Sequence, residues 1–99
     1  MLDNQKTLED GVALFRLEGR LDTVTAPKLE KELRETMAGI SRLTLDMEKL
    51  EYISSAGLRV LLTAQKTMNR QGEMKVTHVP EMILEIFEVT GFTEILTIE

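Results

Sequence analysis

Ser54-Ser55-Ala56-Gly57-Leu58 stands between the apolar pair Tyr52-Ile53 and an amphipathic run from Leu58 to Met68, so it puts hydroxyls where a strand stops and a helix starts. Two chemistries fit that place. A serine oxygen can cap the free amides of the first helical turn. A phosphorylated serine would set an anion where the helix dipole and unpaired N–H groups favour one. From the residue types alone both stay open, and capping is the commoner use of serine there.

Ser55, Asp22, Asp46 and His78 also raise a hydrolase reading, with Ser55 as nucleophile. A nucleophile elbow needs glycine two positions before and two after the serine; Ile53 fills the first place and only Gly57 the second. His78, the single histidine, stands beside Val79-Pro80 as a surface or strand-end residue would, and Asp22 and Asp46 both read as strand-end turn residues. Gly19 and Gly57 belong to neither phosphate-cradling motif, G-x-x-x-x-G-K-[ST] or G-x-G-x-x-G. Without cysteine there are no disulfides and no thiolate metal sites, and one histidine cannot make a His cluster. No catalytic residue, metal site or cofactor is therefore assigned.

The elements that would position the serines follow from patterning. Leu2–Leu8 and Val12–Leu17 flank Glu9-Asp10-Gly11, a hairpin signal, and apolar residues on both faces of the second run predict a largely buried strand. Thr25-Ala26-Pro27 starts a first helix that runs to about Ala38, with Ala26, Leu29, Leu33, Met37 and Ile40 inward. Glu30–Arg34 and Lys31–Glu35 can pair on its wet side, and Gly39 closes it. Leu43–Met47 alternates as a strand and leads through Glu48–Glu51 to the short piece Tyr52-Ile53, after which Ser54 or Ser55 opens the second helix. That helix turns Leu58, Leu61, Leu62, Gln65 and Met68 to one side and ends over Asn69–Gly72. Met74–Thr77 is a further strand. Pro80 begins a third helix with Ile83, Ile86 and Phe87 inward, Gly91 stops it, and Glu94–Ile98 reads as a last strand. Met37, Met68 and Met82 fall at core spacing. An α/β fold follows: a mixed β-sheet with an N-terminal hairpin and helices packed against it, in one domain over residues 1–99.

Composition narrows the function classes. The 99 residues, 42% hydrophobic and 29% charged, suffice for one core and not for two. A formal net charge of −5 with interspersed signs offers no basic face to a phosphate backbone, and three Phe with one Tyr make no stacking platform, so nucleic acid is not an expected partner. The longest apolar run, Val12–Phe15, is far below a membrane span, and polar residues fill Met1–Thr7 where a signal peptide would be apolar; a soluble, cytoplasmic protein is the expectation.

Three separate words carry a family likeness: Gly19-Arg20-Leu21-Asp22-Thr23-Val24-Thr25-Ala26-Pro27, then Leu45-Asp46-Met47, then Tyr52-Ile53-Ser54-Ser55-Ala56-Gly57-Leu58-Arg59-Val60-Leu61-Leu62. In order and spacing they resemble the STAS domain family, the sulfate-transporter and anti-sigma-factor-antagonist domains, and the likeness is greatest to the bacterial anti-sigma factor antagonists. It implies a partner-switching protein rather than an enzyme. Such a protein binds an anti-sigma factor that is also a GHKL-type serine kinase, frees the sigma factor, is switched off by phosphorylation of a serine in the D-S-[ST]-G-L word, and is restored by a serine phosphatase.

Matching on Gly57-Leu58 puts Ser55 on the phosphorylated serine, Ser54 on the family's usual Asp and Ala56 on the usual Ser or Thr, while Asp22 matches an acidic position near the phosphosite. With strand-end loops at one edge of the sheet beside that helix mouth, the expected partner-facing surface is the Asp22–Thr25 loop, Ser54, Ser55 and the outward side of the following helix; the residues assigned to it are Asp22, Thr23, Thr25, Ser54, Gly57, Leu58 and Arg59, on a monomer with no cofactor, nucleic-acid or membrane role. The competing readings are a non-switching STAS interaction subunit of a transporter ATPase or stressosome-type complex, with Ser55 only a cap, and a small hydrolase.

Overall fold

The hairpin forms as the Asp-Gly pair predicts: β1 (Leu2–Glu9) and β2 (Val12–Leu21) pair antiparallel with Glu9 opposite Val12, and Asp10 and Gly11 have φ of 52° and 78°, the two positive values that a tight type I′ turn needs. The structure, a computed structural model, describes residues 1–99. After the hairpin come α1 (Ala26–Met37), β3 (Arg42–Ile53), α2 (Ser55–Gln71), β4 (Glu73–Thr77) and α3 (Glu81–Thr90), with a single 3₁₀ turn at Phe92–Glu94. The four strands lie in the order β1-β2-β3-β4; β2, β3 and β4 run parallel, so their crossovers carry the helices.

Alternation decides which face of the sheet they cover. Ala13, Phe15, Leu17 and Leu21 of β2, Leu43, Leu45 and Met47 of β3, and Met74 and Val76 of β4 join Leu29, Leu33, Leu61, Met68, Ile83 and Phe87 from the helices in one buried cluster. The other face is open. Val12 is 44% exposed, Leu14 is half-buried and Arg16 is exposed, so β2 is buried on one face only, contrary to its apolar reading on both. An antiparallel partner and a bare second face are what allow this in a strand that also has a parallel neighbour.

β3 departs further from the sequence reading, because Arg42–Ile53 is one continuous strand rather than two pieces with a link. Its buried residues are Leu43, Leu45, Met47, Leu50 and Ile53, spaced by two and then by three. The register against β2 shifts between Arg16 and Glu18 and again between Gly19 and Arg20. Each shift absorbs an extra β3 residue, so Leu50 and Ile53 still point inward after strict alternation has failed.

The C-terminal strand expected over Glu94–Ile98 is absent. Gly91, at φ 81°, ends α3 and lets the 3₁₀ turn bring Phe92 against Phe87, with ring centroids 6.4 Å apart. Only a bridge remains: the Val76 amide donates to the Thr97 carbonyl at 2.8 Å and the Glu99 amide to the Val76 carbonyl at 2.9 Å. Met82 is also not core, being 61% exposed, whereas Met37 and Met68 are buried as their spacing predicts. Of the two pairs foreseen on α1, Glu30–Arg34 forms at 3.3 Å and Lys31–Glu35 does not.

Two contacts lock α2 in place. At its far end the Gln71 side-chain amide donates to the carbonyls of Met37, which also accepts from the Ile40 amide, and Ile40, at 2.6 and 2.7 Å, and so ties α2 to the turn that follows α1. At its start Gly57 lies on the ends of β2 and β3, so close that an added Cβ would stand 2.7 Å from Leu21 Cγ and 2.9 Å from Ile53 Cγ1. Both neighbours are buried and branched, and overpacking of that kind costs about 1–3 kcal/mol, against a gain of about 1 kcal/mol in helix propensity. Gly57→Ala is therefore expected to destabilise the protein, read as a lower urea midpoint at an unchanged denaturant slope.

Candidate functional site

The sheet ends in a tip made by the last residues of β2 and β3, where Leu21 pairs with Ile53. The Ser54 amide donates to the Leu21 carbonyl at 2.9 Å, which ties the strand-to-helix junction of α2 to the loop that opens α1. Loop 22–25 and the mouth of α2 are thereby neighbours, although they are far apart in the chain.

At that mouth the two serines divide the work. Ser54 is the N-cap: its Oγ accepts from the Gly57 amide at 3.2 Å and its carbonyl from the Leu58 amide at 2.9 Å. Ser55, the first helical residue, is exposed, and its hydroxyl makes no hydrogen bond. The backbone amides of Ser55 and Ala56 have no protein acceptor either. An exposed, uncommitted hydroxyl thus stands beside free N–H donors at the positive end of a helix of 17 residues. Aspartate and serine are interchangeable as caps, so Ser54 keeps the capping function of the acidic residue it replaces in the resembled motif while removing its charge.

Loop 22–25 is held by its own side chains. Asp22 Oδ1 accepts from the amides of Val24 and Thr25, both at 3.0 Å, and lies 3.2 Å from the Thr25 hydroxyl, which is also placed to donate to the Arg20 carbonyl at 2.9 Å. In return the Thr25 hydroxyl oxygen accepts from the Asp22 amide at 2.9 Å. The Thr25 amide, foremost among these donors, holds the Asp22 carboxyl below its ordinary value; the slight burial of the loop opposes it. Asp22 Oδ2 faces Arg20 Nε at 3.9 Å, and the Arg20 guanidinium stacks 4.2 Å above the Tyr52 ring. Thr25 is formally the N-cap of α1, but it makes no cap bond of its own because its hydroxyl is spent on Asp22 and Arg20.

Of the residues grouped from the sequence as partner-facing, Thr23 and Arg59 are exposed, and Asp22, Thr25 and Ser54 are half-buried around Ser55. Gly57 and Leu58 turn inward instead, Leu58 being 8% exposed. They offer no side-chain surface and serve by seating α2 on the sheet. Val24, within the loop expected from the sequence, is 83% exposed, and Tyr52, 38% exposed and paired with Arg20, extends the surface beyond what spacing alone indicated. Only its pairing with Arg20 near the ends of β2 and β3 could reveal Tyr52.

The hydrolase constellation is not assembled. His78 Nδ1 lies 3.4 Å from Asp46 Oδ1, and Asp46 sits within β3 opposite Thr77, not at a strand end. Seven strand residues, roughly 23 Å, separate Asp46 from Ile53, so neither group reaches Ser55. Donor atoms of Asp46, Glu48 and His78 do lie within 4.8 Å of one another, a set that could hold a cation. Arg16 Nε, 4.0 Å from Asp46 Oδ2, already supplies that carboxylate with one. No helix is long and apolar enough to cross a membrane.

Known proteins match this arrangement over nearly the whole chain. BtrV of Bordetella bronchiseptica, described as a candidate anti-sigma factor antagonist, is 37% identical over 91 residues, covering 90% of this chain and 78% of its own. The anti-sigma-B factor antagonist of Listeria monocytogenes is 31% identical over 93 residues, 91% of this chain and 80% of its own. The fold is that of the anti-sigma factor antagonist SpoIIAA from Bacillus, at 14% identity: the unphosphorylated form superposes with a TM-score of 0.84 over 98% of this chain and 88% of that one, the phosphorylated form with 0.77 over 98% and 91%. The STAS domain model itself matches residues 5–99, and the chain belongs to the STAS domain family.

Proposed function

We propose that this protein is an anti-sigma factor antagonist of the partner-switching kind: unmodified, it binds an anti-sigma factor that is also a serine kinase and so releases the sigma factor, and phosphorylation of Ser55 ends that binding until a phosphatase restores it. It acts in the cytoplasm as a binding protein, not an enzyme. The observation that carries this reading is the idle hydroxyl of Ser55. Were the serine only a cap, its oxygen would be bonded to a helical amide; Ser54 does that instead, and leaves Ser55 with no structural duty. The names of the two relatives and the existence of SpoIIAA in both states support the same role.

A phosphate at Ser55 adds roughly −1.5 to −2 charges, and at a helix N-terminus such charge is stabilised by about 0.3–1 kcal/mol. The fold tolerates the modification. Across an interface the same charge meets the partner's carboxylates or packed apolar surface, where like-charge juxtaposition costs several kcal/mol, about two or more decades in dissociation constant. Modification therefore changes binding and leaves the structure nearly as it was. Loop 22–25, Ser54 and Arg59 form the rim of this contact, with Asp22 acting chiefly to hold the loop in shape.

Four measurements test this. Ser54→Ala is expected to cost about 1 kcal/mol of stability, while Ser55→Ala stays within about 0.5 kcal/mol of the parent; the opposite order in urea melts would make Ser55 the cap. Phosphosite mapping of the protein from its own cells should find phosphate on Ser55, and Ser55→Asp should remain folded yet bind the anti-sigma factor about 100-fold more weakly or worse; undiminished binding by the aspartate variant would sink the switch. Because the Asp22 carboxyl is depressed in the folded state, its contribution is complete above the ordinary carboxylate range and lost as pH falls through the depressed value. Asp22→Ala should accordingly lower the melting temperature at neutral pH and lose less than the parent on acidification.

A further inference from the structure

Helix α2 is the one element of this acidic chain that carries cations alone. Its sequence holds Arg59, Lys66 and Arg70 and no Asp or Glu, in a protein of formal net charge −5. All three are exposed, and none enters an ion pair; Lys6, Lys28, Lys31 and Lys49 are exposed and unpaired too, but each stands on an element that also carries carboxylates, whereas α2 carries none. At 100° per residue Ser55, Arg59, Lys66 and Arg70 fall within about 60° of arc, so they form one line along the solvent side, roughly 22 Å from the serine to Arg70. The apolar side of the helix, with Leu58, Leu61, Ala64 and Met68, is buried against the sheet. The stripe is thus held rigid, and Ser55 is its first member.

Packing does not account for this row. A lone exposed lysine or arginine is ordinary, but three on one line without a single carboxylate to neutralise them keep a local positive field on a negative protein. We infer that α2 is the docking rail for an acidic face of the anti-sigma factor, with Arg59, Lys66 and Arg70 meeting its carboxylates and Ser55 at the end of the contact. This rests on the reading of Ser55 as the switch and deepens it: the phosphate does its work by placing negative charge at the head of a positive rail. Arg59, one helical turn from Ser55, is within reach of that phosphate, so modification also withdraws the first cation from the partner. Charge complementarity of this kind sets encounter rate and register, and it weakens as salt rises. A nucleic acid would be attracted by the same row, but three cations on a chain of net charge −5 with one Tyr and three Phe are a poor footprint for a polyanion.

The test titrates the recombinant anti-sigma factor of the same organism with the unmodified protein at low and at physiological salt. Lys66→Glu with Arg70→Glu, well away from Ser55, should weaken binding at least tenfold and flatten its salt dependence while the melting temperature is kept. Lys31→Glu with Lys49→Glu, an equal change of net charge on α1 and β3, should stay within about twofold of the parent. Equal effects of the two double variants, or none from K66E/R70E, would overturn the rail and leave the Ser55 switch standing. Failure of the unmodified protein to bind the anti-sigma factor would remove the switch and the rail together. Binding of a short DNA duplex that K66E/R70E abolishes, with anti-sigma affinity unchanged, would reassign the row to nucleic acid and overturn the inference.

Discussion

The parallel pairing of Leu21 with Ile53 at the tip of the sheet is the constraint on which the site depends. The Ser54 amide continues that ladder by donating to the Leu21 carbonyl, and Gly57 presses backbone against the same two side chains. A larger residue at 57 would lift the first turn of α2 away from the sheet, and with it the hydroxyl and amides that give the mouth its character. Because Leu21 and Ile53 are buried, the position of the mouth is set by the core rather than by a loop.

On that foundation, two adjacent serines with identical chemistry have different fates. The residue that keeps extended backbone, at φ −96° and ψ 174°, can fold its oxygen back onto the third amide of the helix, and Ser54 does so. The next residue is already helical and projects its hydroxyl outward. Separating the two duties means that modifying Ser55 does not remove the bond that starts the helix. The neighbouring loop is built on the same economy: one oxygen of Asp22 takes two amides, and the other faces Arg20, whose guanidinium lies on Tyr52.

Charge is distributed with the same segregation. The open face of the sheet mixes signs, with the Arg16 guanidinium close enough to the Asp46 carboxylate to neutralise it, while α2 keeps its cations unpaired. A mixed patch has little long-range field, whereas a one-sign row on a chain of opposite net charge keeps one.

Much of this was legible in the residues. The Asp-Gly hairpin, the apolar stripe of α1, the glycines that stop α1 and α3, and a hydroxyl at the head of α2 all follow from local rules of turn, cap and period. Three-body facts were not. Strict alternation misread β3 as two pieces because a bulge restores the inward direction only through its partner strand, and it misread β2 as buried because nothing local says that one face of the sheet lies bare. Met82 sits at core spacing on a helix whose buried arc is narrower than its apolar residues, and Glu94–Ile98 has strand composition but only one residue of β4 to pair with. The amino-acid sequence by itself determined that a serine would stand at a helix mouth in a STAS domain; tertiary structure alone decided which serine is spent on the cap and which is free, because that depends on where the ladder between β2 and β3 ends and the helix begins.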